Sequence, residues 1–234
     1  MNASDRDDAR IRRLGGVLVA VMVVSFSVLL YCGRDIYQAA PPVPDRVVIV
    51  GGRTLFTRAD IETGQDVWRS IGGQELGSVW GHGAYTAPDW TADWLHRESV
   101  WLLDRWSEAT NGTSYGELDP SLQAGLRVRL QQALRTNTYD ASRREITVSD
   151  DRAAAIAAVS AHYKGLFRED PALDGLRSAY AMPRATVRDD ERADALNAFF
   201  FWAAWSCVTN RPGEDVTSPR TGPPTNSSRI GRRP

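Results

Sequence analysis

Residues 80–98 read WGHGAYTAPDWTADWLHRE, from Trp80 to Glu98. Gly81 and Gly83 let the backbone turn tightly and let another group come close. Pro88 and Asp89 then open a helix, with proline near its first position and acids in its first turn. Trp90, Trp94, Trp101 and Leu102 recur along it at near-helical spacing. The stretch therefore predicts a glycine loop feeding an aromatic-faced helix.

Upstream, Ile71 to Gly83 holds five glycines in thirteen residues and reads as a loop of tight turns. Before it, Arg46 to Phe56 has two apolar runs split by Gly51-Gly52, a β-hairpin pattern. Thr57 is placed to cap a helix through Trp68, with Ile61 and Trp68 as its apolar contacts. Downstream, Pro120 starts a helix with Leu122, Leu126, Leu130 and Leu134 at strict i+4. Thr138 to Val148 suggests a second small hairpin. Asp150 is read as the cap of a helix carrying Ile156, Val159, Tyr163 and Leu166 on one face. Pro171 begins a short helix with Leu173, Leu176 and Tyr180. Asp189 to Val208 is the last helix, and its end, AFFFWAAWSCV from Ala198, is 11 residues long and too short to span a bilayer. It fits either a return to the membrane interface or a buried core helix. The fold class expected is mainly α with small β-hairpins.

Leu14 to Gly33 is 20 residues without a charge. As a helix rising about 1.5 Å per residue it matches the bilayer's hydrocarbon thickness. A core helix would show a polar stripe, and a signal peptide would be shorter, with a small-x-small cleavage site in place of Gln38-Ala39-Ala40-Pro41. Arg10, Arg12 and Arg13 precede the span and only Arg34 follows closely, which places the N-terminus inside. Tyr31 and Tyr37 suit the outer interface. The expected order is a cytoplasmic N-terminus (1–13), a transmembrane helix (14–33), a linker (34–45) containing the stiff AAPPVP of residues 39–44, an outer domain (46–208) and a polar tail (209–234).

Lys+Arg 28 against Asp+Glu 29 leaves a net charge of −1, so the chain as a whole carries no electrostatic case for nucleic acid. Cys32 and Cys207 are too few for a disulfide framework or a thiolate metal site, and no bridge between them is expected. Of eight tryptophans, six lie between Trp68 and Trp106, so the functional reading concentrates there.

Over about Arg10 to Val216 the sequence resembles the quinol-dependent nitric oxide reductases. The resemblance rests on Trp80–Glu98, with Gly64-Gln65-x-Val67-Trp68, Gly77-Ser78-x-Trp80, Tyr180-Ala181-Met182-Pro183, Phe199-Phe200-Phe201-Trp202 and Thr209-Asn210-Arg211-Pro212-Gly213 in support. It implies a periplasmic cytochrome c-like domain without haem, anchored in a bacterial inner membrane. In that family the domain sits on a catalytic transmembrane bundle that reduces nitric oxide to nitrous oxide. The bundle would be the partner, and haem b and non-haem iron belong to it. Covalent haem needs C-x-x-C-H. By alignment, the haem-bearing relatives would place those cysteines at Gly73 and Leu76 and the histidine at Gly77. The resemblance further implies that Gly83 and Tyr85 contribute to a calcium site completed by the bundle, a carbonyl and a Tyr oxygen being suitable hard ligands. Here Thr217 to Pro234 lacks periodicity where the bundle should follow. The expectation is therefore a disordered, truncated or out-of-frame tail and a chain without catalytic residues, inactive alone. His82, His96 and His162 lie on separate segments and read as ordinary histidines. The competing reading is a stand-alone anchored binding module presenting a tryptophan-rich face. Exposure of Trp90, Trp94 and Trp101 would favour it, and their burial would favour the cap.

Overall fold

The computed structural model describes residues 3–83 and 87–211. Contacts divide the chain into residues 1–40 and residues 41–234. The first unit is one helix, α1 (Ala3–Ala39). Its stretch Arg10–Arg34 has a mean hydropathy of 2.4 and no buried residues, so it is long and apolar enough to cross a membrane. The helix overruns both expected ends, so part of the expected N-terminal segment and of the linker is helical too. Pro41 follows it, and proline cannot continue a helix.

The second unit is mainly helical around a small sheet. β1 (Arg46–Ile49) and β2 (Thr54–Thr57) form the expected hairpin, turning at Gly51 and Gly52, both at positive φ. β5 (Tyr139–Asp140) and β6 (Glu145–Val148) form the second. The two hairpins join: β1 pairs parallel with β6, giving the order β2-β1-β6-β5. Val47, Val48, Ile49, Ile146 and Val148 are all buried, as suits the central strands of a covered sheet.

α2 (Arg58–Ser70) starts at Thr57, whose hydroxyl and the Asp60 carboxylate make a reciprocal capping box. A long turn leads to the short strands β3 (Ser78–Val79) and β4 (His82–Gly83). α3 (Trp90–Asn111) starts from Asp89 and stops at Gly112, which takes the left-handed φ of 70°. A 3₁₀ turn (Tyr115–Glu117) precedes α4 (Pro120–Arg135). α5 (Asp150–Phe167) is capped by Ser149, whose side chain accepts from Arg152 N, so the expected cap at Asp150 moves back one residue. Asp150 instead supplies charge at the positive helix end. A 3₁₀ turn (Pro171–Leu173) runs into α6 (Asp174–Ala179).

α7 (Asp190–Val208) is the centre of the domain. Every residue from Ala195 to Ser206 is buried, so the aromatic run lies in the core and the membrane-interface alternative is set aside. A helix apolar on all sides needs partners on all sides. α2, α3 and α5 supply most of them. α2 comes closest because Gly64 has no side chain: a Cβ there would stand 2.0 Å from Ala195 O.

α4 starts at Pro120 and carries the expected leucines at i+4 spacing. Its strict i+4 leucines do not form a core face: Leu122 is 48% exposed, Leu126 and Leu130 are half-buried, and only Leu134 is buried. An i+4 row slants around the helix, so the stripe dips into the domain only toward its C-terminal end. There Thr209 Oγ1 donates to Leu134 O (3.1 Å) and Asn210 N to Arg135 O (3.0 Å). Ordered packing thus continues past Val208, and the rest of the expected tail, from residue 212, lies outside the described residues.

Candidate functional site

Trp80 and Gly81 are the two central residues of the β3–β4 hairpin, at φ 60° and 75°. Two positive φ values in succession belong to a type I′ turn, which glycine and asparagine favour and tryptophan resists. Side-chain contacts hold Trp80 there. Its Nε1 donates to Ala203 O (3.0 Å), and its ring lies 5.5 Å from that of Trp202. Trp202 Nε1 in turn donates to Pro42 O (3.0 Å).

Asp89 secures the same hairpin from the other side. Its Oδ2 accepts from Ser78 Oγ (2.7 Å) and Gly81 N (2.5 Å); its Oδ1 accepts from Thr91 N and Ala92 N (3.0 Å each) and from the Thr91 hydroxyl. Burial opposes the Asp89 charge, but the hydrogen bonds from Thr91, Ser78, Gly81 and Ala92 outweigh it and hold the pKa below the ordinary value. One carboxylate therefore caps α3 and clamps the turn. Cys207 lies half-buried near Thr91, and burial pushes its thiol up to about 11. It is a thiol at neutral pH.

The tryptophans of α3 are mostly core. Trp90 and Trp94 are 0% exposed, and Trp101 is half-buried. Trp90 is surrounded by Phe167 (5.3 Å), Tyr163 (5.8 Å), Phe200 (5.9 Å) and Tyr180 (6.0 Å), and Trp94 stacks on Tyr163 at 5.5 Å. Trp90 and Trp94 therefore offer no binding face, and of the three only Trp101 is partly exposed.

Gly73, Leu76 and Gly77 line this aromatic core. A Cβ on Gly73 would fall 2.1 Å from the Trp68 ring, and one on Gly77 would fall 2.2 Å from Trp90 Nε1. Gly77 also sits at φ 143°, and Leu76 is buried. Tryptophan rings occupy the space that side chains at 73 and 77 would need.

Gly83 pairs with Ser78 at the end of the hairpin. Tyr85, the other expected calcium ligand, lies outside the described residues. Among the described residues no group of three or more His, Cys, Asp or Glu could hold a metal ion. Asp89 is the acid that contacts the hairpin, and it is already engaged by donors of the protein itself. Gly83 can offer at most a carbonyl, whereas calcium takes about 6–8 oxygens.

With this geometry in place, a family model of the NorB cytochrome c-like domain of nitric oxide reductase matches residues 44–220. The chain belongs to this family. A search of curated proteins finds no match. The region matched by the NorB cytochrome c-like domain takes in the whole helical unit from Pro44 and the hairpin clamped by Trp80 and Asp89.

Two polar features of the domain had no signal in the sequence. Glu98 and Arg152 form a buried ion pair at 2.7 Å between α3 and α5, with Trp94 Nε1 also donating to Glu98 (3.2 Å). Arg177, 2% exposed, donates to Gly165 O and Leu166 O (3.0 Å each) and to Asp174 (2.6 Å), serving the last carbonyls of α5. Charge runs in a sequence carry no partner information, and these partners are up to 54 residues apart. His96 and His162, expected on separate segments, do come to one cleft between α3 and α5. Burial, then Arg97, hold His162 below its ordinary pKa.

Proposed function

We propose that this chain is the anchored front domain of a nitric oxide reductase and acts as a structural cap. In this reading α1 crosses the bacterial inner membrane with its N-terminus in the cytoplasm, and the unit from Pro41 lies in the periplasm. The domain docks on a catalytic transmembrane bundle, which carries haem b and non-haem iron and reduces nitric oxide to nitrous oxide. The domain itself holds no haem and has no catalytic residue. The Gly83 carbonyl and Tyr85 contribute to a calcium site that the bundle completes.

One observation carries this reading: Trp68 and Trp90 fill the space beside Gly73 and Gly77, the positions where a haem-bearing relative would have a cysteine and the axial histidine. A domain built this way transfers no electrons through its own haem, and what remains for it is to pack and to brace. Arg10, Arg12 and Arg13 before the span against Arg34 after it support the orientation.

The test uses the full chain expressed in a bacterium competent for cytochrome c maturation. The purified protein should give no pyridine-haemochrome signal and no nitric oxide turnover. A reporter fused after Pro44 should be active only as a periplasmic enzyme. With the bundle supplied in trans, assembly should depend on calcium, and Gly83→Val should weaken it. Bound haem, turnover by the chain alone, or assembly indifferent to calcium and to Gly83→Val would each count against the corresponding part.

A further inference from the structure

Residues of β2, α2, α5 and α7 line an open groove of about 830 Å³, the size of a small-molecule site. It exists because the helices present small residues there: Ala153, Ala157 and Ala161 at i+4 along α5, and Ala195 on α7. Leu55, Phe56 and Ile156 make the rest of its lining apolar. Small residues alone would leave only a gap, but two polar side chains share this lining.

They are Asn197 and Ser160. Asn197 is 2% exposed and belongs to the buried stretch of α7. Its Nδ2 donates to Ser160 O (3.1 Å). A carbonyl only accepts, so the amide nitrogen must face it and Oδ1 must face another way. Oδ1 has no partner, and neither has Ser160 Oγ, although both are shut off from bulk water. The two groups thus do not serve each other. Buried polar groups are normally hydrogen-bonded, so an acceptor and a hydroxyl left open beside one apolar groove point to a ligand. The rim decides its charge. Lys164 is held by Asp194 (3.0 Å) and Asp190 (3.7 Å), Arg192 by Ser70 (2.7 Å) and Asp189 (3.8 Å), and Asp60 by the Thr57 cap. Glu191 is the rim charge without an ion pair among the described residues. A carboxylate would meet no free cation here, and an ammonium beside Asn197 would be desolvated with no carboxylate to pair it.

We infer that this groove binds a small neutral molecule with an apolar body and one hydroxyl group. A hydroxyl meets both needs at once: its O–H donates to Asn197 Oδ1, and its oxygen accepts from the Ser160 hydroxyl. Asn197 is the fixed point, held by its bond to Ser160 O. The Ser160 hydroxyl is held by no bond and is free to turn toward the entering group. The apolar body lies over the alanines, beside Phe56 and Ile156. Lys164 and Asp194 neutralise each other at the rim and leave the apolar body as the part selected.

Benzyl alcohol is the probe, with toluene, benzoate and benzylammonium as controls built on the same ring. The isotope-labelled full chain is titrated in one detergent, and the Asn197 side-chain amide and the backbone amides of Ala157 and Ala195 are followed by NMR. Benzyl alcohol should shift them saturably and bind about tenfold more tightly than toluene, the worth of one hydrogen-bonded group. Asn197→Leu, which keeps the volume, and the milder Ser160→Ala should each erase that preference and leave toluene binding in place. Ala157→Phe, which fills the groove from an exposed position, should abolish binding of both. Circular dichroism of each variant checks that the fold is kept. Equal affinity for benzyl alcohol and toluene overturns the inference, because the hydroxyl is then not read. Tighter binding of benzoate or benzylammonium overturns it by assigning a charged ligand. Shifts that survive Ala157→Phe place the binding elsewhere, and the lack of any saturable shift leaves the groove to water; either result overturns it as well.

Discussion

Replacing Glu98 by alanine should damage this domain more than any surface ion pair could. Glu98 is 0% exposed and Arg152 is 5% exposed, with 2.7 Å between them. Removing one partner of a buried pair leaves the other charge without compensation and costs about 3–5 kcal/mol. Trp94 Nε1 loses its acceptor in the same step, and an unmet buried donor costs about 1–3 kcal/mol. Arg152 already has one unmet nitrogen, Nη2, so it has little chance of finding a new partner without moving. For a domain of this size, the ion-pair loss alone should lower Tm by roughly 6–20 °C. The double variant Glu98→Met, Arg152→Met should recover most of the loss, because it removes both charges while keeping volume. The exposed pair Arg69–Asp66, 3.2 Å apart, is the control: Asp66→Ala should cost less than about 1 kcal/mol. The assay is thermal unfolding of the full chain in detergent, read by near-ultraviolet circular dichroism, which reports the packed tryptophans. A loss below about 1 kcal/mol for Glu98→Ala, or a double variant as unstable as the sum of the singles, would refute the reasoning.

Gly64→Ala should destabilise by about 1–3 kcal/mol, since its Cβ would press on Ala195 O at 2.0 Å and force α2 away from α7; urea unfolding measures it. Asp89→Asn should flatten the acid limb of the stability curve. The folded pKa of Asp89 is lowered, so its contribution is complete above the unfolded value of about 3.9 and fades as pH falls through the lower folded value. Wild type should therefore lose more stability than Asp89→Asn on titration from neutral pH into that acid range, and equal slopes would contradict this. Installing Gly73→Cys, Leu76→Cys and Gly77→His together should give no haem-bearing protein, because Trp68 and Trp90 occupy the space. A pyridine-haemochrome assay reads the outcome.

The sequence announced the helices well where caps and apolar spacing agreed. Thr57 as a cap and Pro88-Asp89 as a helix opening were local signals that the structure repeats. It announced the two hairpins but not that β1 and β6 join in parallel, because pairing between residues about 100 positions apart leaves no local trace. For α4 the regular leucine spacing left the burial of each leucine open. Spacing fixes which residues share a stripe, not whether a neighbour covers it. It left the end of α7 open between membrane surface and core, since aromatic residues serve both; only the placement of α2, α3 and α5 around that helix decides for the core.

The candidate site was legible as glycines and tryptophans, but their division of labour was not. Gly64 and Gly73 are glycine because something else needs their space: the α7 backbone at one, the Trp68 ring at the other. Gly77 is glycine for that reason and for its φ of 143° as well. Gly81 is glycine for its φ alone, as nothing lies within 4 Å of a Cβ placed there. The tryptophans divide in the same way. Trp90 and Trp94 fill the core, whereas Trp80 is held in a left-handed turn by Ala203 O and Trp202. Strain of that kind persists only where surrounding contacts over-determine it. The contacts that do so here, from α7 on one side and Asp89 on the other, converge on the hairpin that leads into Gly83. The domain thus concentrates its rigidity in the hairpin that ends at Gly83.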